Sequence, residues 1–218
     1  MAITGNGYVQ YGCGLTAPPG WTNFDTSPTL RLQKIPGLGA LFTRLGPTFP
    51  KNVLVGDIRK GLPLAANSCT AIYCSHVLEH LSLHDCRIAL QNTYTYLKPT
   101  GIFRLVVPDL EYLAREYLES TKPQPALEFV QALCMGRRTR PRNLGSFLRD
   151  WLGNSQHLWM WDYRSLKVEL ARVGFHHIRR ASFGDSPEPR FAEVEERSRW
   201  DHCLGMECRK PEAEQAAS

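Results

Sequence analysis

The stretch from Thr70 to Asp109 constrains the fold of this chain more than any other. Thr70–Cys74 is short, apolar and rich in strand formers, and Ile102–Val107 is a near-continuous apolar run. Between them, the apolar residues of Leu83–Leu97 recur at helical spacing. A strand, a helix and a second strand in this order predict a right-handed crossover between parallel strands. Ligands bind beyond the carboxyl ends of such strands, which here points to the residues from Cys74 to His76.

Two motifs in this stretch resemble those of the small class I S-adenosylmethionine-dependent methyltransferases, the type-11 group. Cys74–Leu81 reads CSHVLEHL, similar to the family's strand end that runs into "vLEH". Leu97–Gly101 reads LKPTG, similar to the family's "LKPGG" except for Thr100, which we expect in a surface turn. The resemblance implies an α/β fold, a Rossmann-like three-layer sandwich. Its mixed seven-stranded sheet would have an antiparallel last strand.

Length and composition agree with one soluble globular domain. The chain has 218 residues, of which 43% are hydrophobic and 22% charged. We expect a single methyltransferase domain over residues 1–210 and a disordered tail over 211–218. No apolar run approaches the roughly 20 residues that span a bilayer. The net charge of +5 permits an anionic substrate but gives no reason to expect nucleic acid, and the oligomeric state stays open.

Cysteine usage and the first residues bear on the cellular compartment. The seven cysteines are scattered and contain no C-x-x-C pair, as expected of reduced thiols rather than disulfides or a zinc knuckle. The opening MAITGNGYVQ lacks the charged start and apolar core of a signal peptide. These features predict a cytoplasmic protein.

A glycine turn follows the first predicted strand. Gly12, Cys13 and Gly14 come directly after Tyr8–Tyr11, and Asp25 ends a second predicted strand eleven residues past Gly14. Glycines allow close backbone approach to a ligand, and an acidic residue after the second strand accepts hydrogen bonds from ribose hydroxyls. The family uses the same device, so the resemblance implies cofactor contacts at all four residues. The alternative is an ordinary turn.

The segment that joins these two strands is unusual for the fold. It contains LTAPPGW, with two prolines and a glycine, and is too short for both a full helix and a strand. We therefore expect the first crossover helix to be absent or reduced to a turn.

Two further strand ends carry candidate cofactor residues. Asp57 and Ile58 follow the third predicted strand, and the resemblance implies that they contact the adenine. The alternative for Asp57 is a loop-capping aspartate. Ser75 and His76 end the fourth strand, where the resemblance implies the methionine end of the cofactor. The implied cofactor is S-adenosylmethionine, with S-adenosylhomocysteine as product.

His76–His80 also matches H-x-x-E-H, a zinc-peptidase motif. A zinc hydrolase is therefore an alternative function from a different class of enzyme. That chemistry needs both histidines one helical turn apart and a third protein ligand. Here the first residues follow a strand, where a loop is expected, and no strong third-ligand motif follows. We therefore predict no metal site.

The chain after the fifth strand carries the candidate substrate residues. Arg138 lies in GRRTRPR, residues 136–142, which is either a solvated loop or an anion site for the substrate. The aromatic run that follows contains Trp159, Trp161 and Tyr163, which could shelter an acceptor from water.

Catalysis at neutral pH favours histidine as a general base. His84 is expected on the solvent face of its helix, at least one of His176 and His177 should point away from the site, and His202 is expected to start the last strand. His80 is as readily structural. This leaves His76, better explained as a cofactor neighbour, and His157, either a base or a buried histidine that holds a loop. Asp162 could orient His157, although it is more simply the N-cap of the next helix.

We therefore predict an S-adenosylmethionine-dependent methyltransferase acting on a small-molecule or biosynthetic acceptor, which could be a sugar, lipid, peptide, glycan or natural product. A nicotinamide oxidoreductase shares the sheet, but GCGLTAPPG lacks the third glycine of G-x-G-x-x-G. A non-catalytic cofactor-binding subunit and the zinc hydrolase remain alternatives, because fold alone does not fix function.

Overall fold

A computed structural model describes residues 7–37, 47–136 and 156–212. Within these ranges the strands are β1 Tyr8–Tyr11, β2 Thr22–Asp25, β3 Val53–Val55, β4 Cys69–Ser75, β5 Leu97–Pro108, β6 His176–Ala181 and β7 Cys203–Arg209. The helices are α1 Pro28–Gln33, α2 Leu83–Tyr96, α3 Leu110–Glu119, α4 Pro125–Ala132 and α5 Tyr163–Val173. Short 3-10 helices lie at Leu78–His80, Pro189–Glu193 and Arg197–Arg199.

The strands form one mixed sheet in the order β3-β2-β1-β4-β5-β7-β6. Strands β1 to β5 pair in parallel, whereas β7 is antiparallel to both of its neighbours. The predicted Rossmann-like sheet with an antiparallel last strand is therefore confirmed. The last strand inserts between β5 and β6, so the order of strands in the sheet differs from their order in the chain.

One face of the sheet is covered by α2 and α5, and we call it the helix-covered face. Alternate residues of β4 and β5 point to it, including Ile72, Cys74 and Phe103, and they join one core cluster with Leu90 of α2 and Leu166 of α5. All five side chains are at most 1% exposed. The helical spacing in the sequence predicted these contacts, because the same residues form the apolar side of each helix.

Side chains at their ends delimit these helices. Ser82 caps α2 by accepting from the backbone N–H of Asp85, and Asp109 caps α3 by accepting from that of Glu111. Gly174 ends α5 with φ +107°, a conformation that favours glycine.

The opposite face is covered without a long helix. Residues 12–21, all described, contain turns instead of a crossover helix, as predicted. Residues 182–202, here called the covering segment, pack Phe191, Val194 and Trp200 against the β4 and β5 side chains of this face, Tyr73 among them. The C-terminal part of the chain thus occupies the side of the sheet that the missing first helix leaves open.

A fully buried arginine lies under the covering segment. The guanidinium of Arg104 on β5 donates to Glu195 at 2.5 Å, Asp185 at 2.9 Å and Glu207 at 3.0 Å. Its carbon atom lies 4.7 Å from the centroid of the Trp200 ring. Since a buried charge is costly unless paired, these partners are what allow an arginine inside the sheet's packing layer.

The predicted turn at LKPTG differs from the structure. β5 begins at Leu97, directly after α2, five residues before the expected start, because Leu97 pairs with Cys69 of β4. Thr100 therefore lies within the strand, not in a surface turn, with φ +65°. This is the backbone region that a glycine would occupy without strain, which accounts for a glycine at this position in the family motif.

Several expectations lie outside the described residues or stay untested. Residues 1–6, 38–46, 137–155 and 213–218 are not described, and these include Arg138 with most of the basic cluster and most of the expected tail. The division into a domain over 1–210 stays a prediction. All seven cysteines are free thiols. Among the described helices, none combines the length and hydrophobicity needed to cross a bilayer.

Candidate functional site

A cavity of about 380 Å³ lies at the carboxyl ends of β1, β2, β3 and β4. This is the edge where parallel α/β sheets bind ligands. The residues that line it are Tyr11, Gly12, Asp25, Thr26, Ser27, Pro28, Gly56, Asp57, Ile58, Arg59, His76, Val77, His80, Leu81 and Leu158. Five of the eight predicted cofactor residues are among them, namely Gly12, Asp25, Asp57, Ile58 and His76.

The glycine turn after β1 adopts a backbone that favours glycine. Gly12 and Gly14 have φ values of +66° and +55°. A Cβ on Gly12 would lie 2.2 Å from Cγ2 of Val77, so a side chain there would displace the loop after β4. Cys13 directs its side chain into a small core cluster with Leu30, so only its backbone belongs to the turn.

Asp25 connects the ends of β1 and β2. Its carboxylate accepts from the backbone N–H of Gly14 at 2.9 Å and from that of Ser27 at 2.7 Å. Because a carboxylate offers about four acceptor positions, two remain for hydroxyl donors in the cavity. Asp25 is buried, so a hydrogen bond made here has little competition from water.

Asp57 at the end of β3 is held by a cation that the sequence interpretation did not consider. Arg59 donates to both carboxylate oxygens, at 2.9 and 2.8 Å. This bidentate contact lowers the pKa of Asp57 and keeps the group ionised. Beside it, the buried Ile58 has its carbonyl fixed by Asn92 of α2 at 2.7 Å. The backbone N–H of Arg59 donates to the same carboxylate at 3.1 Å, so Asp57 is held in place with about one acceptor position left open.

The end of β4 is tied to the covering segment. His76 has φ +55°, and its Nε2 lies 3.0 Å from the carbonyl oxygen of Arg199. The guanidinium of Arg199 in turn donates to the carbonyl of Ser75 at 3.3 Å. Gly12, Cys13, Ser75 and Arg199 line a small pocket behind the main cavity. Ser75 and Cys13 therefore lie next to the candidate cofactor cavity and not in it.

The pKa of His76 is raised to about 10. Burial acts to lower it, but contacts with Cys203, Glu79 and the Arg199 carbonyl outweigh burial. Nδ1 of His76 lies 3.2 Å from Oε1 of Glu79. The imidazole is therefore held in its charged form and is poorly suited to accept a proton.

His157 lies close to the cavity, as its predicted role requires. The backbone N–H groups of Leu158 and Trp159 both donate to the carbonyl of Glu79, at 2.7 and 3.1 Å. These bonds hold residues 156–159 against the 3-10 helix after β4. The ring of His157 stacks edge-on against that of His80, with centroids 5.0 Å apart. Its pKa is lowered, first by burial, so the neutral imidazole is favoured.

The H-x-x-E-H motif does not have the geometry of a zinc peptidase. It begins at the strand end at His76, as expected, and continues through a 3-10 turn at Leu78–His80 and not along an α-helix. His76 and His80 therefore do not form a ligand pair one helical turn apart, and His76 uses Nε2 to contact a carbonyl.

The remaining predicted residues are not brought into the cavity. Asp162 caps α5, accepting from the backbone N–H and hydroxyl of Ser165, and the described contacts do not connect it to His157. Trp161 is a core residue at 1% exposure. Tyr163 stacks under the guanidinium of Arg180, 4.9 Å from its ring centroid. Trp159 is partly exposed beside Leu158 and stays a candidate substrate contact.

Among the residues that sequence interpretation missed at the site, Arg59, Leu158 and Arg199 make the contacts described above. Arg59 could have been found from its spacing, since it lies two residues after Asp57 and can return to it. Leu158 and Arg199 reach the site by tertiary contacts alone, and no local pattern in their segments indicates it.

The fold and the cavity define a class: a Rossmann-like α/β protein with a cavity at the carboxyl ends of its parallel strands, lined by a glycine turn and two acidic residues. A family model described as "Methyltransferase domain" matches residues 15–179, about three quarters of the chain. The chain belongs to this methyltransferase-domain family, as the motif resemblance predicted. None of the curated protein sequences compared with the chain matches it.

Solved structures share the fold at low sequence identity. One comes from the complex between the Haloferax volcanii Trm112 methyltransferase activator and a protein described as a methyltransferase. Its sequence identity to this chain is 17%, the match covers 96% of this chain and 84% of that chain, and the TM-score is 0.50. Another is Haemonchus contortus phosphoethanolamine N-methyltransferase 2 with phosphomonomethylethanolamine and S-adenosylhomocysteine, with 12% identity, coverage of 97% and 50%, and a TM-score of 0.50. The chain thus spans half of the second neighbour's length, and both likenesses concern the fold alone.

Proposed function

We propose that this chain binds S-adenosylmethionine and transfers its methyl group to a small-molecule or biosynthetic acceptor. One observation carries the proposal: the glycine turn, Asp25, Asp57 and His76 meet at a single cavity in a chain of the methyltransferase-domain family. The cavity volume of about 380 Å³ lies within the range of small-molecule sites, about 300–1,000 Å³.

The residues present fit this cofactor. Asp25 has acceptor positions for ribose hydroxyls, and Asp57 with Ile58 offers a carboxylate and an apolar side chain to an adenine. The Gly12–Gly14 turn leaves room for the amino-acid portion, beside His76. When bound, S-adenosylmethionine supplies an electrophilic methyl group on a sulfonium.

The chain's own contribution to the reaction is positioning and proton removal. Holding two reactants in line can supply a large part of the rate enhancement. His157 is neutral and lies beside the cavity edge formed by His80 and Leu158, so its imidazole can take a proton from an acceptor hydroxyl or amine. Asp162 is a poor orienting group for it, because its carboxylate is engaged at the start of α5.

Calorimetric titration of the full chain tests the proposal. We expect S-adenosylmethionine and S-adenosylhomocysteine to bind at micromolar to millimolar concentrations, about −8 to −4 kcal/mol. Asp25→Ala should weaken binding by about 1–3 kcal/mol, since it removes a buried acceptor. Glu119→Ala, on an exposed carboxylate at the end of α3 that does not line the cavity, is the matched control. Tight NADH binding without S-adenosylmethionine binding would overturn the assignment.

Turnover requires a separate measurement. Incubation with a labelled methyl donor and a panel of hydroxyl, amine and carbon acceptors should yield a methylated product. Cofactor binding without transfer to any acceptor, alone or with candidate partner proteins, would support the non-catalytic subunit instead.

A further inference from the structure

A buried carboxylate and two histidines meet at the edge of the cofactor cavity. Ligand atoms of Glu79, His80 and His157 all lie within 4.8 Å of one another. Glu79 is fully buried, and neither of its carboxylate oxygens has a hydrogen-bond partner among the described residues. A buried carboxylate without a hydrogen-bond partner is among the costliest groups in a protein interior. The binding of a ligand that pairs with it would therefore be favourable.

The nearby His76 does not satisfy this carboxylate. Its Nδ1 lies 3.2 Å from Oε1 of Glu79, which is an ion-pair distance, but the contact lacks hydrogen-bond geometry. The second oxygen has no donor at all within the described part of the chain. His76 therefore compensates part of the charge and leaves lone pairs free toward His80 and His157.

Both histidines are oriented as metal ligands usually are. Nδ1 of His80 lies 3.1 Å from the carbonyl oxygen of Gln156, so this nitrogen donates and Nε2 holds the lone pair. The ring of His157 lies near the backbone of Leu133, and its buried Nδ1 has no hydrogen-bond partner among the described residues. Nε2 of His80 and Nδ1 of His157 are therefore available to bind a cation.

We propose that Glu79, His80 and His157 form a site for a divalent transition-metal cation. Two imidazoles and one carboxylate suit zinc and its neighbours better than magnesium or calcium, which prefer oxygen ligands. Ligands about 2.0–2.1 Å from a common ion lie roughly 3.3 Å apart, so side-chain shifts of about 1 Å close the site. The prediction that the chain has no metal site is replaced by this proposal.

The position of the site suggests its use. Three protein ligands leave a coordination position open, as in catalytic zinc sites. His80 lines the cofactor cavity, so a hydroxyl oxygen of the acceptor can bind the ion next to that cavity. The ion would lower the pKa of this hydroxyl, and the proton would pass to solvent. This use rests on the proposed methyl transfer, whereas the metal site itself does not, and it makes His157 a ligand in place of a base.

Metal titration of the chelator-stripped full chain tests the site directly. We expect one equivalent of ZnCl₂ to bind by calorimetry, with MgCl₂ at least about 10-fold weaker. Glu79→Gln, His80→Asn and His157→Asn should each weaken zinc binding by about 100-fold or more, and His84→Asn, on the exposed side of α2, should leave it unchanged. Retained zinc affinity in the three variants would overturn the proposal.

A spectroscopic measurement on the unmutated protein tests the site without relying on variants that fail to fold. Added Co²⁺ should give the visible absorption of a cation with nitrogen and oxygen ligands, and one equivalent of Zn²⁺ should abolish it. Absence of Co²⁺ and Zn²⁺ binding to the folded protein would reject the site. S-adenosylmethionine titration of the same sample, with and without metal, separates the two proposals, because we expect the cofactor to bind the metal-free protein as well.

Discussion

The two faces of the sheet are packed by different physical means. On the helix-covered face, α2 and α5 bury apolar side chains at regular spacing. On the other face, the covering segment has only two 3-10 turns and buries aromatic rings around the Arg104 charge cluster. The helix-covered face is thus stabilised by the burial of apolar side chains. The other face also depends on the buried guanidinium of Arg104 and the carboxylates that pair with it.

Loss of the buried arginine should be the largest effect. Arg104→Ala leaves Glu195 buried without its cation and Glu207 paired only with Arg179, and removal of one partner from a buried ion pair costs about 3–5 kcal/mol. Urea denaturation measures the change in unfolding free energy. Leu90→Ala, a cavity variant of the helix-covered face, should cost about 2–5 kcal/mol and is the reference. A loss under 1 kcal/mol for Arg104→Ala would contradict this account.

Rescue should separate the two faces more sharply. In Arg104→Met combined with Glu195→Gln and Glu207→Gln, no strong buried charge remains unpaired, so we expect recovery of about half or more of the lost stability. The same two glutamine substitutions added to Leu90→Ala should lower the unfolding free energy further, because they leave the buried charge of Arg104 without these two partners. Equal behaviour in both backgrounds would remove the distinction between the faces.

Overpacking between β7 and the covering segment should have a smaller effect on the unfolding free energy. A Cβ on Gly205 would lie 2.2 Å from the Trp200 ring and 2.5 Å from the carbonyl oxygen of Ala181. Gly205→Ala should therefore cost about 1–3 kcal/mol, as overpacking usually does. Trp200→Phe in the same chain should recover part of this loss by freeing space. Additive losses in the double variant would show that the ring is not the obstacle.

The caps of the helix-covered face should contribute about 1 kcal/mol each. Asp162→Ala removes the N-cap of α5 and Ser82→Ala that of α2, so both should lower the unfolding free energy by similar amounts. S-adenosylmethionine affinity should be unchanged in Asp162→Ala. A selective loss of turnover in that variant would restore the orienting role first predicted for Asp162.

The smallest expected effect is a pH dependence of the unfolding free energy that arises from Asp185. Burial acts to raise its pKa, but hydrogen bonds from Arg179, the Ser182 backbone and Arg104 outweigh this and lower the pKa to about 2. The contribution of a depressed carboxyl pKa is present above the ordinary value near 4 and lost as pH falls toward 2. The stability difference between the natural chain and Asp185→Asn should therefore be larger at pH 5 than at pH 2.5. An unchanged difference would contradict the pKa shift.

The sequence predicted the helix-covered face and the strand ends because both have local patterns. Helical spacing in Leu83–Leu97 and the residues that follow each strand indicated the sheet and five residues of the cavity. The covering segment could not be predicted, because its packing depends on contacts between Trp200, Phe191 and strands far away in the chain. For the same reason, the sequence did not predict Arg199 at the site. Nor did it predict that His157 lies close to Glu79, from which it is 78 residues away in the chain.

The insertion of β7 between β5 and β6 has a consequence for synthesis of the protein. A chain emerging from the ribosome completes β1 to β5 long before Cys203–Arg209 exists, so the edge of β5 and the surface around Tyr73 and Ile102 stay uncovered meanwhile. Unpaired edges and exposed apolar surface are what make folding intermediates aggregate. Nascent chains should therefore need chaperone protection until the last strand is made, and the wall of the site near Arg199 is completed only in that final step.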